Sequence, residues 1–198
     1  MTPGSGASKS DWRKYFREQI GQLSVAERTS DSALLCQRLE GRPEWKHARA
    51  VLLFVPAAGE PDILPLAHRA LAAGKIVTFP RHRPDTDSYE AARIADLARD
   101  LAPGRFGIPE PRSECSRFSL IELDFSLVPG IGFSLDGGRL GRGRGYFDRL
   151  LAAITGFKCG AAFDCQVARE FALEPHDARL DCILTPTRWH PTASRARS

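Results

Sequence analysis

Glycine and arginine alternate in the segment GGRLGRGRGYFDRLLA, residues 137–152, which holds five glycines and four arginines. Glycine lets the backbone approach an anion closely because it has no Cβ, and guanidinium groups neutralise the charge of that anion. The pattern therefore predicts a phosphate-binding loop at the start of a helix. Asp148 lies one turn into that helix, where a carboxylate is placed to hold Mg²⁺ directly or through water.

The spacing of these glycines matches no common nucleotide signature. Gly141, Gly143 and Gly145 form GxGxG, which is neither GxxxxGK[ST] nor the dinucleotide pattern GxGxxG. From the loop alone, two other interpretations stay open. The glycines make turns beside solvated arginines, or the segment is an Arg/Gly arm that binds RNA.

The flanking residues favour an ordered loop over a flexible arm. The segment follows the apolar run FSLVPGIGF (125–133), and apolar residues recur behind it at helical spacing: Phe147, Leu150, Leu151 and Ile154. Arg/Gly arms instead lie in low-complexity, solvated sequence. We therefore predict a strand, an ordered loop and a helix, with a non-catalytic RNA- or polyanion-binding protein as the alternative.

The first forty residues predict two helices. Ser10 or Asp11 is placed to cap the first, and Gly21 is placed to end it. Ser24 and Glu27 form a capping-box pattern that opens the second helix.

Strand and helix patterns alternate beyond residue 48. Apolar runs predict strands at 48–55, 75–80, 125–133, 158–163 and, as the last strand, 181–186, with helices at about 61–73 and 146–154. Residues 81–117 show only weak periodicity, with a short strand near 91–94. The alternation predicts an α/β fold: a three-layer, Rossmann-like, mostly parallel sheet with helices on both faces and an N-terminal helical pair. We expect one domain over residues 1–198, with 1–7 and 192–198 disordered.

Composition narrows the classes of protein that the chain can belong to. The net charge of +4, from 28 basic and 24 acidic residues, suits an anionic ligand but falls short of a dedicated polyanion binder. The five cysteines are an odd number without CxxC spacing, which indicates a reducing compartment. No run approaches the roughly 18 apolar residues of a membrane span. We expect a soluble cytoplasmic protein with no membrane or nucleic-acid partner.

Other potential sites have simpler explanations. Cys159, Cys165 and Cys182 lie near His176 and Asp177, but their spacing fits no common zinc module, and we predict buried core thiols. No G-x-S-x-G elbow supports a serine hydrolase. Taken singly, Glu60 is a helix-initiating acid before Pro61, and Lys9 with Arg13 is a solvated helix face.

The segment LVPGIGFSLDGGRLGRGRGYFDRLL resembles the signature of the 5-formyltetrahydrofolate cyclo-ligase family. Further family motifs match in order: Lys9-x-x-x-Arg13, Glu60 after FVPAAG, Pro80–Arg81, GIPEP at 107–111 and PHDxxLD at 175–181. Together they span about residues 8–186, nearly the whole chain. The resemblance implies an ATP-dependent ring closure. In this family ATP phosphorylates the formyl oxygen of 5-formyltetrahydrofolate, N10 attacks the activated carbon, and 5,10-methenyltetrahydrofolate, ADP and phosphate result.

The resemblance also implies roles for residues of this chain. Arg142, Arg144 and Tyr146 would be catalytic, and Asp148 and Asp177 would hold magnesium. The reduced folate would contact Val55, Glu60, Phe106, Arg142, Gly143, Gly145 and Tyr146. ATP would be bound by Lys9, Arg13, Arg139, Leu140, Gly141, Arg142, Gly143, Arg144, Gly145, Tyr146 and Phe147.

The resemblance therefore implies a monomer that binds ATP, Mg²⁺ and a reduced folate. Removing the side chain of Arg142 or Asp148 is then expected to lose most of the turnover while the protein stays folded. Three positions depart from the family pattern: Phe147 replaces a tyrosine, His82 stands where tyrosine is frequent, and Ile63 stands where threonine is usual. These departures leave open a paralogue with the same ATP site and a different acceptor.

Overall fold

A computed structural model describes residues 2–4, 6–171, 174 and 177–192. His176 and most of the tail predicted to be disordered lie outside these residues. Thr192, the first residue of that predicted tail, is buried, and its hydroxyl donates to the carbonyl of Leu180.

The described part of the chain contains six α-helices: α1 (Lys9–Gln22), α2 (Val25–Glu40), α3 (Pro43–His47), α4 (Leu64–Ala72), α5 (Leu97–Asp100) and α6 (Tyr146–Ala152). The capping box of Ser24 and Glu27 opens α2, as predicted. The predicted cap of α1 is wrong, because Ser8 is the N-cap and Asp11 is its reciprocal partner. Gly21 lies inside α1 and does not end it.

Thirteen short strands lie in the described residues: β1 (Ala50–Leu52), β2 (Ile76–Arg83), β3 (Ser88–Ile94), β4 (Leu101–Pro103), β5 (Pro109–Pro111), β6 (Arg117–Phe118), β7 (Phe125–Val128), β8 (Gly132–Ser134), β9 (Arg139–Leu140), β10 (Phe157–Ala161), β11 (Val167–Ala168), β12 (Cys182–Leu184) and β13 (Trp189–Pro191). Eight of them form the main sheet in the order β13-β12-β10-β7-β1-β2-β3-β6. The five strands from β12 to β2 are parallel, and the outer strands are antiparallel.

Helices cover both faces of this sheet, which confirms the predicted layers. Ala50 and Leu52 of β1 pack in one apolar core with α6, whereas Val51 packs in a second core with α2 and α4. Alternate residues of a strand point to opposite faces, so β1 is buried on both sides. This double burial explains the almost continuous apolar run in its sequence.

Three strand predictions need correction. Residues 125–133 are not one strand: β7 ends at Val128, and β8 joins β9 and β11 in a separate sheet. Pro129 follows Val128 and cannot donate to the ladder, so the chain leaves the main sheet there. The strands predicted at 75–80 and near 91–94 extend into the weakly periodic region, where they pair as the hairpin of β2 and β3. The strand β12 is not the last, because β13 pairs with it antiparallel.

The small sheet is held by α1. Trp12 and Phe16 pack with Ile131, Leu140 and Phe171 in a third apolar cluster. This packing places the N-terminal helix beside the glycine-arginine segment.

Gly132 on β8 tests this packing, because an added Cβ would overlap the buried ring of Phe16. We expect Gly132→Ala to lower the free energy of unfolding by about 1–3 kcal/mol through overpacking. Gly21→Ala is the matched control, since nothing lies within 4 Å of its added Cβ. Alanine inside a helix should stabilise α1 by about 0.5–1 kcal/mol. Equal urea midpoints for the two variants would contradict this packing.

Candidate active site

A cleft lies at the point where the strand order of the sheet reverses. Strand β1 has β2 as its neighbour on one side and β7 on the other. The loops that follow β1 and β7 meet at the carboxyl edge of the sheet and both line the cleft. Ligands of open α/β sheets bind at this point. The cleft has a volume of about 590 Å³ and is lined by residues 54–58, 60, 79–80, 89, 106–110, 129–130, 139, 141–142 and 144–148.

The glycine-arginine loop forms one wall of the cleft. Gly143 and Gly145 have φ values of 94° and 67°, in the left-handed region that favours glycine. Arg13 of α1 donates from Nε to the carbonyl of Gly141 over 2.9 Å, which ties the loop to α1. The loop is therefore ordered through a contact with another element, and Arg13 makes that contact.

Arg139 lies buried behind this loop and packs against its backbone. Its side chain is only 5% exposed, and it donates to the Pro129 carbonyl over 3.0 Å and to Asp148 Oδ1 over 2.8 Å. Its Nε is buried and has no hydrogen-bond partner in the described residues. A Cβ on Gly141 would lie 2.9 Å from the Arg139 guanidinium, so the backbone passes close over this charge. The side chain of Leu140 is buried in the third apolar cluster, beside Trp12 and Phe16 of α1, so only its backbone can contact a ligand.

Glu60 and Arg142 join the two walls of the cleft. Arg142 Nη2 lies 3.2 Å from Glu60 Oε1, and Glu60 Oε2 accepts from the backbone amide of Ala57 over 2.9 Å. Val55 lines the same side. The predicted folate contacts after β1 therefore face the predicted catalytic arginine directly.

Aromatic rings form the remaining wall. The Tyr146 ring centroid lies 6.2 Å from that of Phe106 and 5.4 Å from that of Tyr89. The Arg144 guanidinium lies 4.5 Å from the Phe106 centroid. Phe147 also lines the cleft and packs against both apolar cores of the main sheet. The Arg105 guanidinium lies 5.2 Å from the Tyr146 centroid. This wall therefore offers flat apolar surfaces beside two cations, which suits a charged molecule with an aromatic ring.

A second group of polar residues at the cleft mouth was missed by the sequence analysis. Asp87 accepts hydrogen bonds from Tyr146 Oη over 2.8 Å and from Arg105 Nη1 over 2.6 Å. Asp87 lies in PDTDS, which indicates a turn and nothing about a partner 59 residues away. No signal in the sequence links these residues.

The two predicted magnesium ligands lie in different surroundings. Asp148 lines the cleft, paired with Arg139. Asp177 does not line it, and its Oδ2 lies 2.8 Å from Lys9 Nζ, which also lies 3.0 Å from Glu174. Burial lowers the pKa of Lys9, but its hydrogen bonds to these carboxylates outweigh burial and raise that pKa above its usual value. Within the described residues, no group of three or more His, Cys, Asp or Glu could hold a metal.

Of the two predicted magnesium ligands, only Asp148 lies in the cleft. Mg²⁺ is commonly held by one or two carboxylates together with substrate phosphates, and Asp148 is placed for that role. Five predicted site residues do not line the cleft: Lys9, Arg13, Leu140, Gly143 and Asp177. Of these, Arg13 still contacts the loop, through the carbonyl of Gly141. The other predicted site residues all line the cleft.

A basic, glycine-rich cleft at the strand-order reversal is typical of α/β proteins that bind phosphate groups. Comparison with known proteins specifies the family. Residues 5–186 match the 5-formyltetrahydrofolate cyclo-ligase family. A 5-formyltetrahydrofolate cyclo-ligase of Mycolicibacterium smegmatis is 33% identical over 189 residues, which cover 93% of this chain and 96% of the relative.

Solved structures agree. The 5,10-methenyltetrahydrofolate synthetase of Aquifex aeolicus superposes with a TM-score of 0.84 at 33% identity, covering 93% of both chains. That of Mycoplasma pneumoniae gives a TM-score of 0.73 at 23% identity, covering 91% of this chain and 99% of that one, and supports the fold.

The chain belongs to the 5-formyltetrahydrofolate cyclo-ligase family. Its activity is that of this ATP-dependent ligase, acting on folate in one-carbon metabolism.

Within the described residues, no helix combines the length and apolar character needed to cross a bilayer. All five cysteines carry free thiols.

Proposed function

We propose that this single cleft binds ATP and 5-formyltetrahydrofolate side by side. The Arg142–Glu60 contact carries this proposal, because it joins the phosphate loop to the loop after β1. The triphosphate lies along Gly141 to Gly145, and the folate ring lies between Glu60 and the aromatic wall. The ordered backbone of the loop supports a phosphate site and argues against a flexible RNA-binding arm.

The reaction then follows from the placement of charge. The formyl oxygen attacks the γ-phosphorus, ADP leaves, N10 attacks the activated carbon, and phosphate departs with the former formyl oxygen as N10 loses its proton. An amide-type oxygen is a poor leaving group, and phosphate is a good one. Arg142 and Arg144 stabilise charge on the transferred group, and the remaining work is positioning. Tyr146 orients the folate against Phe106.

Glu60 acts in binding. Its Oε2 is held by the Ala57 amide and its Oε1 by Arg142, so the carboxylate is fixed at the cleft wall. A fixed carboxylate accepts hydrogen bonds from N–H groups of a pterin ring at little entropic cost.

Mg²⁺, when bound, would neutralise charge on the phosphates, with Asp148 as its ligand directly or through water. Asp177 is a less suitable ligand, because Lys9 already neutralises it. We further propose a monomer in the cytoplasm, which free thiols support.

The assay for this function is direct. Purified protein with 5-formyltetrahydrofolate, ATP and Mg²⁺ is expected to produce the near-ultraviolet absorbance of the methenyl product, with one phosphate released per product. Omitting ATP should abolish both signals, and a chelator should reduce them if magnesium takes part. ATP hydrolysis without methenyl product would instead indicate a different acceptor, and no signal across pH and metals would contradict the proposed chemistry.

A further inference from the structure

Two strained residues face Tyr146 at the mouth of the cleft. Asp87 and Phe106, with φ values of 44° and 62°, are the non-glycine residues with a left-handed backbone among those the structure describes. Both contact Tyr146, through the Asp87 carboxylate and the Phe106 ring. Such strain persists where surrounding contacts over-determine it, and it clusters at functional sites.

The Asp87 carboxylate joins three segments of the chain. Its oxygens accept from Tyr146 Oη at 2.8 and 3.0 Å, its Oδ1 accepts from Arg105 Nη1 at 2.6 Å, and His82 Nε2 lies 3.0 Å from Oδ1. Asp87 thereby connects the β2–β3 hairpin, the turn at Arg105–Gly107 and the start of α6. Hydrogen bonds hold the pKa of Asp87 well below its usual value. The bond from Arg105 contributes most, followed by those from His82 and Tyr146.

Stability alone does not account for this arrangement. The Asp87 side chain is 63% exposed, and exposed ion pairs contribute little to folding. Tyr146, by contrast, is buried and lines the cleft. The contacts of Asp87 therefore act on a side chain that faces the substrate.

We propose that Asp87 is a positioning residue for folate binding. Its carboxylate holds the Tyr146 hydroxyl and, through Arg105, the neighbouring Phe106, so that both rings are oriented before the substrate arrives. This inference rests on the proposed position of the folate. The Asp87 carboxylate bonds to Tyr146, Arg105 and His82, and no hydrogen bond joins it to residues 141–145 of the described chain. We therefore expect its removal to affect the folate more than the triphosphate.

Removing the Asp87 carboxylate is expected to weaken folate binding selectively. Asp87→Ala should raise the KM for 5-formyltetrahydrofolate about tenfold, the equivalent of one hydrogen bond to a charged group. The KM for ATP should rise much less, because Tyr146 is the one predicted ATP contact to which the carboxylate bonds. Asp87→Asn keeps an acceptor for Tyr146 and should recover part of the loss.

The matched control is Asp85→Ala in the same hairpin turn, because Asp85 is similarly exposed and pairs with Arg83 outside the cleft. It should leave both KM values unchanged. An equal rise in both KM values for Asp87→Ala, or the same effect in Asp85→Ala, would overturn the proposal.

A double-mutant cycle tests the link without relying on turnover. Asp87→Ala, Tyr146→Phe and the combined variant are compared by urea unfolding and by direct folate binding. If Asp87 acts through the Tyr146 hydroxyl, the combined variant should be no worse than the poorer single variant. Additive effects would overturn the proposal. Wild-type protein without cyclo-ligase turnover would contradict the proposed function separately, because the unfolding cycle would still report the Asp87–Tyr146 contact.

Discussion

Replacing Asp148 by alanine is expected to destabilise the protein by about 3–5 kcal/mol, in addition to removing most of its turnover. The change leaves the buried guanidinium of Arg139 without its charged partner and with Nε already unpaired. From the sequence alone, Asp148→Ala is expected to lose turnover without unfolding, because the resemblance places this carboxylate only at a metal site. Equilibrium urea unfolding by circular dichroism measures the difference.

Two comparisons separate burial from catalysis. Glu40→Ala removes a carboxylate from the exposed pair with Arg69 and should change stability little. Arg139→Met combined with Asp148→Leu removes both buried charges, so stability should largely return while turnover does not. An Asp148→Ala midpoint equal to that of wild type would show that Arg139 is satisfied by other means.

Arg142→Ala is expected to lower kcat by about 10²–10³, the effect of removing one group that stabilises transition-state charge. The Arg142 side chain is half exposed, so the variant should remain folded. Arg142→Lys keeps the charge but loses the planar fork, and should recover only part of the rate. Single-turnover methenyl formation measures the chemical step.

Arg99→Ala is the control for this second experiment. Arg99 is exposed and pairs with Asp100 on α5, outside the residues that line the cleft. Its removal should leave kcat unchanged. If Arg142→Ala kept kcat near that of wild type, the charge on the transferred group would have to be stabilised elsewhere, and Arg144 would be the first candidate.

Local patterns predicted those elements whose stabilising contacts lie close in sequence. The capping box of Ser24 and Glu27, the doubly buried β1 and the amphipathic α6 all follow from residues within a few positions of one another. The prediction failed where partners are remote. The hairpin of β2 and β3 was predicted only in part. The strands pair with each other at its far end, where residues 81–83 and 88–89 are half-buried and show no regular alternation of apolar and polar side chains.

The sequence by itself determined the fold class, the glycine-arginine loop and, through resemblance, the family, because each depends on residue types in fixed order. Only the tertiary structure decided which charges are free for a ligand. Arg139 pairs with Asp148, and Lys9 pairs with Asp177 across 168 positions. Asp87 reaches Tyr146 because the hairpin packs beside α6. Charges attract across space regardless of chain distance, so a residue's type shows what it can do, and packing decides which partner it meets.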